Sequence, residues 1–102
     1  MITWQRSANI NHGKHLAAVA WAHKVSAYVN DTFGTDIIVH GNIAGPVNQI
    51  HWMGTFASLA EFEEITLRIV RDDEYNQLLD ESSAANLFAT SSFEDTLYRS
   101  LS

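Results

Sequence analysis

The sequence predicts an α+β fold in which helices pack on one face of an antiparallel sheet. Three observations lead to this prediction. Several segments alternate apolar and polar residues with a period of two, which is typical of half-buried strands. An alanine-rich segment without Pro or Gly follows the first of them and predicts a helix. The chain's one proline lies between two alternating segments, where it favours a turn. The length of 102 residues fits a single domain, 1–102.

The first two elements are a strand over residues 2–10 and a helix over residues 15–33. The strand alternates strictly except at Arg6, which interrupts its apolar face. Apolar residues of the helix recur at three- and four-residue spacing over a wide arc, so we expect this helix to pack against more than one surface. Gly34 follows it as a suitable residue to end the helix.

The next two segments, 36–44 and 47–56, predict a hairpin around Gly45-Pro46. A symmetric hairpin at this point pairs residues whose numbers add up to 91. The predicted cross-strand pairs are His40 with His51, Asn42 with Gln49, and Ile38 with Met53. Directly opposed residues of an antiparallel pair have Cβ atoms about 4.5–5.5 Å apart, so each pair should be in contact.

The second half predicts two helices and a closing strand. Ser58 and Glu61 have the spacing of a capping box at the start of one helix, and Asp73 can cap a second, shorter one. Residues 93–101 fit either a helix or a strand. We favour a strand, because a Ser/Thr-rich loop ends the helical region and the first strand needs a partner. The order β-α-β-β-α-(α)-β is the ferredoxin-like, split β-α-β arrangement.

The alternation divides the strands into two faces. The helix-facing set is Ile2, Trp4, Ala8, Ile10, Ile37, Val39, Ile43, Ile50, Trp52 and Phe56. The opposite set is Thr3, Gln5, Ser7, Asn9, Ile38, His40, Asn42, Gln49, His51, Met53 and Thr55. Water-facing sheets usually carry Lys and Glu, whereas this second set is polar but weakly charged and is typical of a cavity lining. Arg6 falls among the helix-facing residues, where a guanidinium requires an acidic partner; Glu61, Glu63 or another acid of the second half can supply it.

This pattern resembles the dimeric α+β barrel superfamily over nearly the whole chain. The resemblance rests on the first strand, the alanine-rich helix, the hairpin at Gly45-Pro46, the capped helix from Ser58, the segment 73–79 and the closing strand 93–99. It is strongest for the NIPSNAP-like branch, with the antibiotic-monooxygenase-like branch beside it. The resemblance implies a homodimer in which two open sheet faces meet. The superfamily includes cofactor-independent monooxygenases of aromatic substrates, haem-handling proteins and stress-induced proteins.

Composition excludes several classes of function. The net charge is −6 and the chain has no Lys/Arg cluster, so neither nucleic acid nor an anionic membrane surface is an expected partner. Because Cys is absent, thiolate metal sites and a cysteine nucleophile are excluded. No apolar run reaches the roughly 20 residues of a membrane span. The first residues lack the pattern of a signal peptide, and we therefore expect a cytoplasmic location.

The candidate catalytic residues are His40 and His51. Two opposed imidazoles can share a ligand, relay a proton or supply two metal ligands. No carboxylate lies in phase on these strands, so we predict no metal. The candidate ligand-binding residues are Asn9, Asn42, Gln49 and Met53. The alternative is that the two histidines only form hydrogen bonds within a polar interface.

These observations predict a homodimer that binds a small, mostly apolar organic molecule in a cavity lined by the polar sheet face. If the protein is an enzyme, cofactor-independent oxygenation or isomerisation is the expected class, with no bound cofactor. His40 or His51 would act as general base and Asn42 or Gln49 as orienting donor. One alternative is a non-catalytic ligand-binding or stress-response module. Another is a haem-binding protein with one histidine as axial ligand.

Overall fold

The computed structural model describes residues 1–101 and contains a four-stranded antiparallel sheet with the strand order β2-β3-β1-β4. Its elements are β1 (Ile2–Asn9), α1 (His15–Phe33), β2 (Ile38–Gly41), β3 (Gln49–Phe56), α2 (Leu59–Val70), α3 (Asp73–Ala84), a short 3-10 helix (Thr90–Ser92) and β4 (Glu94–Arg99). The predicted α+β class and the predicted closing strand are confirmed. The helices of residues 1–101 lack the combination of length and apolar character that crossing a membrane requires.

Helix α1 is the main packing partner of the sheet. It buries Ala18, Trp21, Ala22, Val25, Ser26 and Val29, whose spacing of three and four residues places them on one side of the helix. It ends at Gly34, which adopts the left-handed conformation with φ 70° and donates its N–H to the Asn30 carbonyl. This conformation is one that glycine adopts without steric cost.

Helices α2 and α3 begin at side-chain caps and bury less. The Ser58 hydroxyl accepts the N–H of Glu61 at 3.1 Å, as predicted, while the Glu61 carboxylate accepts the N–H of Ala57. Helix α3 is capped by Asp72 and not by the expected Asp73. The Asp72 carboxylate accepts the Tyr75 N–H at 2.9 Å and the Tyr28 hydroxyl at 2.6 Å, so the same residue also ties α3 to α1.

The predicted register of the β2–β3 hairpin is confirmed, although its strands are shorter than expected. His40 lies opposite His51 and Ile38 opposite Met53. Strand β2 ends at Gly41, and the loop that follows includes positive φ angles at Gly45 (101°) and Asn48 (59°).

The predicted division into two faces is confirmed for the strands, but Ile43 was wrongly assigned to the helix-facing set, because it lies fully exposed in the loop after β2. Ile2, Ala8, Ile10, Ile50, Trp52 and Phe56 are buried on the helix-facing side. Opposed residues of neighbouring strands share a face. The register therefore adds Glu94, Thr96 and Tyr98 of β4 to the polar face, opposite Ser7, Gln5 and Thr3. We call the polar side of the sheet the open face, because α1 packs on the other side.

Candidate functional site

A cavity of about 300 Å³ lies between the helix-facing side of the sheet and the three helices. Its walls are almost entirely aromatic and aliphatic. The sheet side and the segment before β4 contribute Trp4, Arg6, Ile37, Trp52, Phe56, Phe93 and Asp95, and the helices contribute Trp21, Val25, Ser26, Val29, Phe62, Thr66, Ile69, Val70, Tyr75 and Leu79. An apolar cleft with a few polar groups is the usual form of a small-molecule site.

Aromatic contacts hold the walls of this cavity in place. The ring of Trp52 meets Trp21 edge-on at 6.2 Å between centroids and lies nearly parallel to Phe93 at 6.5 Å. Phe62 of α2 contacts Phe56 of β3 edge-on at 5.1 Å. Offset-stacked and edge-to-face pairs of this kind are the preferred geometries of aromatic rings. The cavity is therefore bounded by rigid side chains that belong to three different elements.

One hydrogen-bond donor in the cavity wall is unused. The Trp52 side chain is 5% exposed, and its indole N–H has no hydrogen-bond partner among the described residues. Trp21 differs, because its indole N–H donates to the Leu78 carbonyl at 2.8 Å. The hydroxyls of Ser26 and Thr66 donate to carbonyls of their own helices, which leaves oxygen lone pairs available. The wall thus offers a free donor and two hydroxyl acceptors.

The polar end of the cavity is an ion pair between Arg6 and Asp95. The guanidinium donates to both carboxylate oxygens, at 2.7 Å and 2.9 Å, and lies 5.3 Å from the Trp4 ring centroid. The hydrogen bonds from Arg6 to Asp95 raise the pKa of the guanidinium above its ordinary value, with burial opposing. Burial also opposes ionisation of Asp95, but the bonds and charge of Arg6 outweigh it and lower the pKa of that carboxyl. Both groups are therefore charged near neutral pH, and the pair has no net charge.

The six residues predicted as site residues lie elsewhere. Asn9, His40, Gln49, His51 and Met53 are on the open face, and Asn42 lies in the loop that follows β2. None of them lines the cavity. Within a single chain, the cavity therefore lies on the apolar side of the sheet, where the helices pack, and not on the polar side as expected. The catalytic roles of His40 and His51 and the binding roles of the other four stay predictions.

Four of these residues nevertheless form a connected group with Gln5 and Ser7. Gln5 Nε2 donates to Ser7 Oγ at 3.2 Å, and Ser7 Oγ contacts His51 Nδ1 at 2.6 Å. On the other side of the ring, His51 Nε2 contacts Asn42 Oδ1 at 2.7 Å, Asn42 Nδ2 donates to Gln49 Oε1 at 3.1 Å, and Gln49 Nε2 donates to Asn9 Oδ1 at 3.5 Å. His40 lies outside this group, and its Nδ1 contacts only the Ile38 carbonyl. We call the contacts from Gln5 to Asn9 the open-face chain. The predicted Asn42–Gln49 pair is thus formed by side chains beyond the end of the ladder.

Sequence reasoning missed the residues that give the cavity its polar character. Trp52 was assigned to the core, and nothing in the sequence indicates that its N–H lacks a partner. Arg6 was identified as needing an acid from the second half, and Asp95 is that acid. Tyr75 of α3 also raises the pKa of Arg6, after Asp95, and nothing in the sequence indicates this role. In the described part of the chain, no three His, Asp or Glu side chains are grouped as a metal site requires.

Comparison with solved structures identifies proteins of the same fold. A NIPSNAP family protein from Agrobacterium tumefaciens matches with a TM-score of 0.81 and 19% identity, over 98% of this chain and 92% of that chain. A NIPSNAP domain protein from Burkholderia xenovorans matches with a TM-score of 0.82 and 10% identity, over 99% and 95%. A mutant of SnoaB from Streptomyces nogalater, described as a cofactor-independent oxygenase, matches with a TM-score of 0.69 and 11% identity, over 97% and 91%.

No protein-family model matches the chain, and no curated protein matches its sequence. At identities below 20%, the structural matches establish the fold and not the activity. The predicted resemblance is confirmed at that level: the chain has the ferredoxin-like α+β fold that NIPSNAP proteins and the oxygenase SnoaB share.

Proposed function

We propose that this protein binds a small, neutral aromatic molecule with an acceptor oxygen in the cavity beneath α2. The observation that carries this proposal is the unpartnered indole N–H of Trp52 in an otherwise apolar wall. A buried donor without a partner loses the hydrogen bond that it makes to water in the unfolded chain, at a cost of about 1–3 kcal/mol. A ligand carbonyl at this point restores the bond.

The size and the walls of the cavity restrict the ligand further. A volume of about 300 Å³ is at the lower end of the range for ligand pockets, so the ligand has one or two rings. The rings of Trp21 and Trp52 favour a flat aromatic body, which contacts them face-on or edge-on. The lone pairs of Ser26 and Thr66 accept a hydrogen bond from a ligand hydroxyl.

Charge in the cavity favours a neutral ligand over an anion. Arg6 already shares its hydrogen bonds with the ionised Asp95, so the polar end has no net positive charge to offer. An anion buried there without a counter-charge loses its hydration and gains little in return. An aromatic carboxylate should therefore bind more weakly than the ketone of the same size.

The second candidate function is oxygenation of such a ligand, which the similarity to SnoaB favours. A phenolic substrate such as naphthol supplies all the electrons itself: with one O₂ it yields naphthoquinone and one water, so that no separate reductant is required. The predicted general base, His40 or His51, lies on the opposite side of the sheet from the cavity. A reaction in the cavity and a reaction on the open face therefore involve different residues.

We also propose that the protein is a homodimer joined through the open face. Across its four strands this face has few charged groups, although the chain as a whole has a net charge of −6. Ile38 and Tyr98 contribute exposed apolar surface to it. Two copies of the chain therefore repel each other least when these faces meet.

Replacing Trp52 with Phe tests the ligand assignment. This change removes the indole N–H and keeps an aromatic ring. We expect tetralone, a two-ring aromatic ketone, to lose about 3- to 10-fold in affinity, the value of one neutral hydrogen bond. Naphthalene, which has no acceptor, should bind both proteins similarly. Isothermal titration calorimetry measures both ligands, and an equal loss for the two would contradict the role of the N–H.

Replacing Asp95 with Asn tests the charge argument. The change leaves Arg6 without an ionised partner, so naphthoate should gain about 10-fold in affinity through a charge-assisted hydrogen bond. Tetralone binding should stay nearly constant. Glu94→Gln is the matched control, because it removes the neighbouring carboxylate from the open face. If both variants enhance naphthoate binding equally, the effect comes from net charge and not from the cavity.

An oxygen electrode with naphthol as substrate tests for oxygenation. If the reaction takes place in the cavity, we expect Trp52→Phe to slow oxygen uptake and His51→Ala to leave it unchanged. Loss of uptake in His51→Ala, with thermal stability retained, would instead place the chemistry on the open face. The absence of uptake in the wild-type protein that still binds tetralone would leave ligand binding as the function.

Introducing a charge into the open face tests the homodimer. Light scattering after gel filtration should give a mass of twice 11.4 kDa for the wild-type protein at micromolar concentration. Gln5→Lys places an unpaired ammonium in the middle of the open face and should yield a monomer. The control Glu64→Lys changes an exposed residue of α2 and should remain dimeric. A monomeric wild-type protein would refute the proposal.

A further inference from the structure

The open-face chain determines which nitrogen of the neutral His51 imidazole carries the proton. Asn42 Oδ1 only accepts hydrogen bonds, so the contact at 2.7 Å requires a proton on His51 Nε2. In the neutral imidazole the other nitrogen, Nδ1, then carries no proton and accepts the Ser7 hydroxyl at 2.6 Å. The chain therefore runs in one direction from Gln5 to Asn9, and each donor in it meets an acceptor.

A second proton on His51 breaks this arrangement. Nδ1 becomes a donor, and the Ser7 hydroxyl hydrogen must turn away from it. Ser7 Oγ already accepts the Gln5 amide, so it then receives two hydrogen bonds and its own hydrogen has no acceptor within the chain. Protonation thus introduces both a positive charge and an unpaired donor into the open face.

The surroundings of His51 contain no carboxylate that pairs with this charge. The titratable and charged groups that share the face are His40, directly opposite on β2, Glu94 and Tyr98 on β4, and Asp36, which is bound to Thr55 at the end of β3. Glu94 lies in the same row as His51 but beyond Ser7 on β1, two strand spacings or roughly 9.6 Å away. β1 itself contributes no charged side chain to this face.

We propose that a second copy of the chain docks on the open face only while His51 is neutral, so that the dimer separates as the pH falls through the range in which histidine titrates. This inference rests on the homodimer proposed above. In the monomer, water solvates the protonated imidazole. Against a second copy the same charge is removed from water without a partner, so docking favours the neutral form.

The sign and size of the effect follow from linkage. The separated chains bind protons that the dimer does not, and therefore the dissociation constant rises as the pH falls. Each dimer contains two copies of His51. With an average of about one proton taken up per separating dimer between pH 7.5 and 5.5, the constant rises about 100-fold over that range.

Sedimentation equilibrium at pH 7.5 and 5.5 tests this inference on three proteins. We expect a rise of about 100-fold in the dissociation constant of the wild-type protein. His51→Gln keeps a donor and an acceptor without a titrating group, and its constant should hardly change. His23→Gln is the matched control, since His23 is an exposed residue of α1, on the other side of the sheet from the open face, and it should behave as the wild type does.

The possible outcomes separate this inference from the proposals on which it depends. If the dissociation constant of the wild-type dimer does not change with pH, the inference is overturned and the homodimer stays intact. The same conclusion follows if the His51→Gln protein keeps the full pH dependence. A wild-type monomer at pH 7.5 overturns the homodimer together with the inference. Circular dichroism at both pH values verifies folding, and tetralone binding reports on the cavity separately. If His51→Gln fails to fold, the wild-type slope of about one proton per dimer between pH 7.5 and 5.5 is the deciding measurement.

Discussion

The alternation of side chains along β1 and β3 is the constraint on which the rest of this structure depends. Adjacent residues of a strand leave opposite faces of the sheet, so Trp52 enters the aromatic cluster and His51 enters the open-face chain. Both strands are interior in the order β2-β3-β1-β4, and their backbone groups are paired on both sides. A slip by one residue would move every apolar side chain of the strand into the open face, which makes this register the only one that retains the core.

Much of the fold follows from the sequence because it depends on local periodicity. The hairpin register could be predicted from Gly45-Pro46, since the period of two links the turn to each cross-strand pair. The strand ends could not, because the period of two continues in the sequence beyond Gly41, where the ladder stops. The cavity could not be predicted either. Its volume depends on how far α2, which buries only Ile69, stands from the sheet, and this distance is a property of three-dimensional packing.

The candidate site illustrates the same limit. Arg6 interrupts an apolar alternation, and that local irregularity was enough to predict an acidic partner. The identity of the partner, Asp95, required the pairing of β1 with β4 across 89 positions of sequence. The free N–H of Trp52 could not be predicted from the sequence, because a tryptophan at an apolar position of a strand is assigned to the core whether or not its N–H has a partner. A residue that breaks a pattern, such as Arg6, can thus be identified from the sequence. A hydrogen-bond donor without a partner at a regular position, such as the Trp52 N–H, can be identified only from the structure.

The sheet also keeps the two proposed activities physically separate. A ligand against Trp52 and a second copy against His51 act on neighbouring residues of β3, yet on opposite sides of a backbone that is paired with both β1 and β2 at these residues. Coupling between sites requires an element with two alternative arrangements, and an interior strand whose register is fixed by its core offers none. Ligand binding should therefore be insensitive to the association state. The helices freest to respond to a ligand are α2 and α3, each of which buries one residue where α1 buries six. Adjustment to different ligands is accordingly expected on the helix side of the cavity, while the sheet remains unchanged.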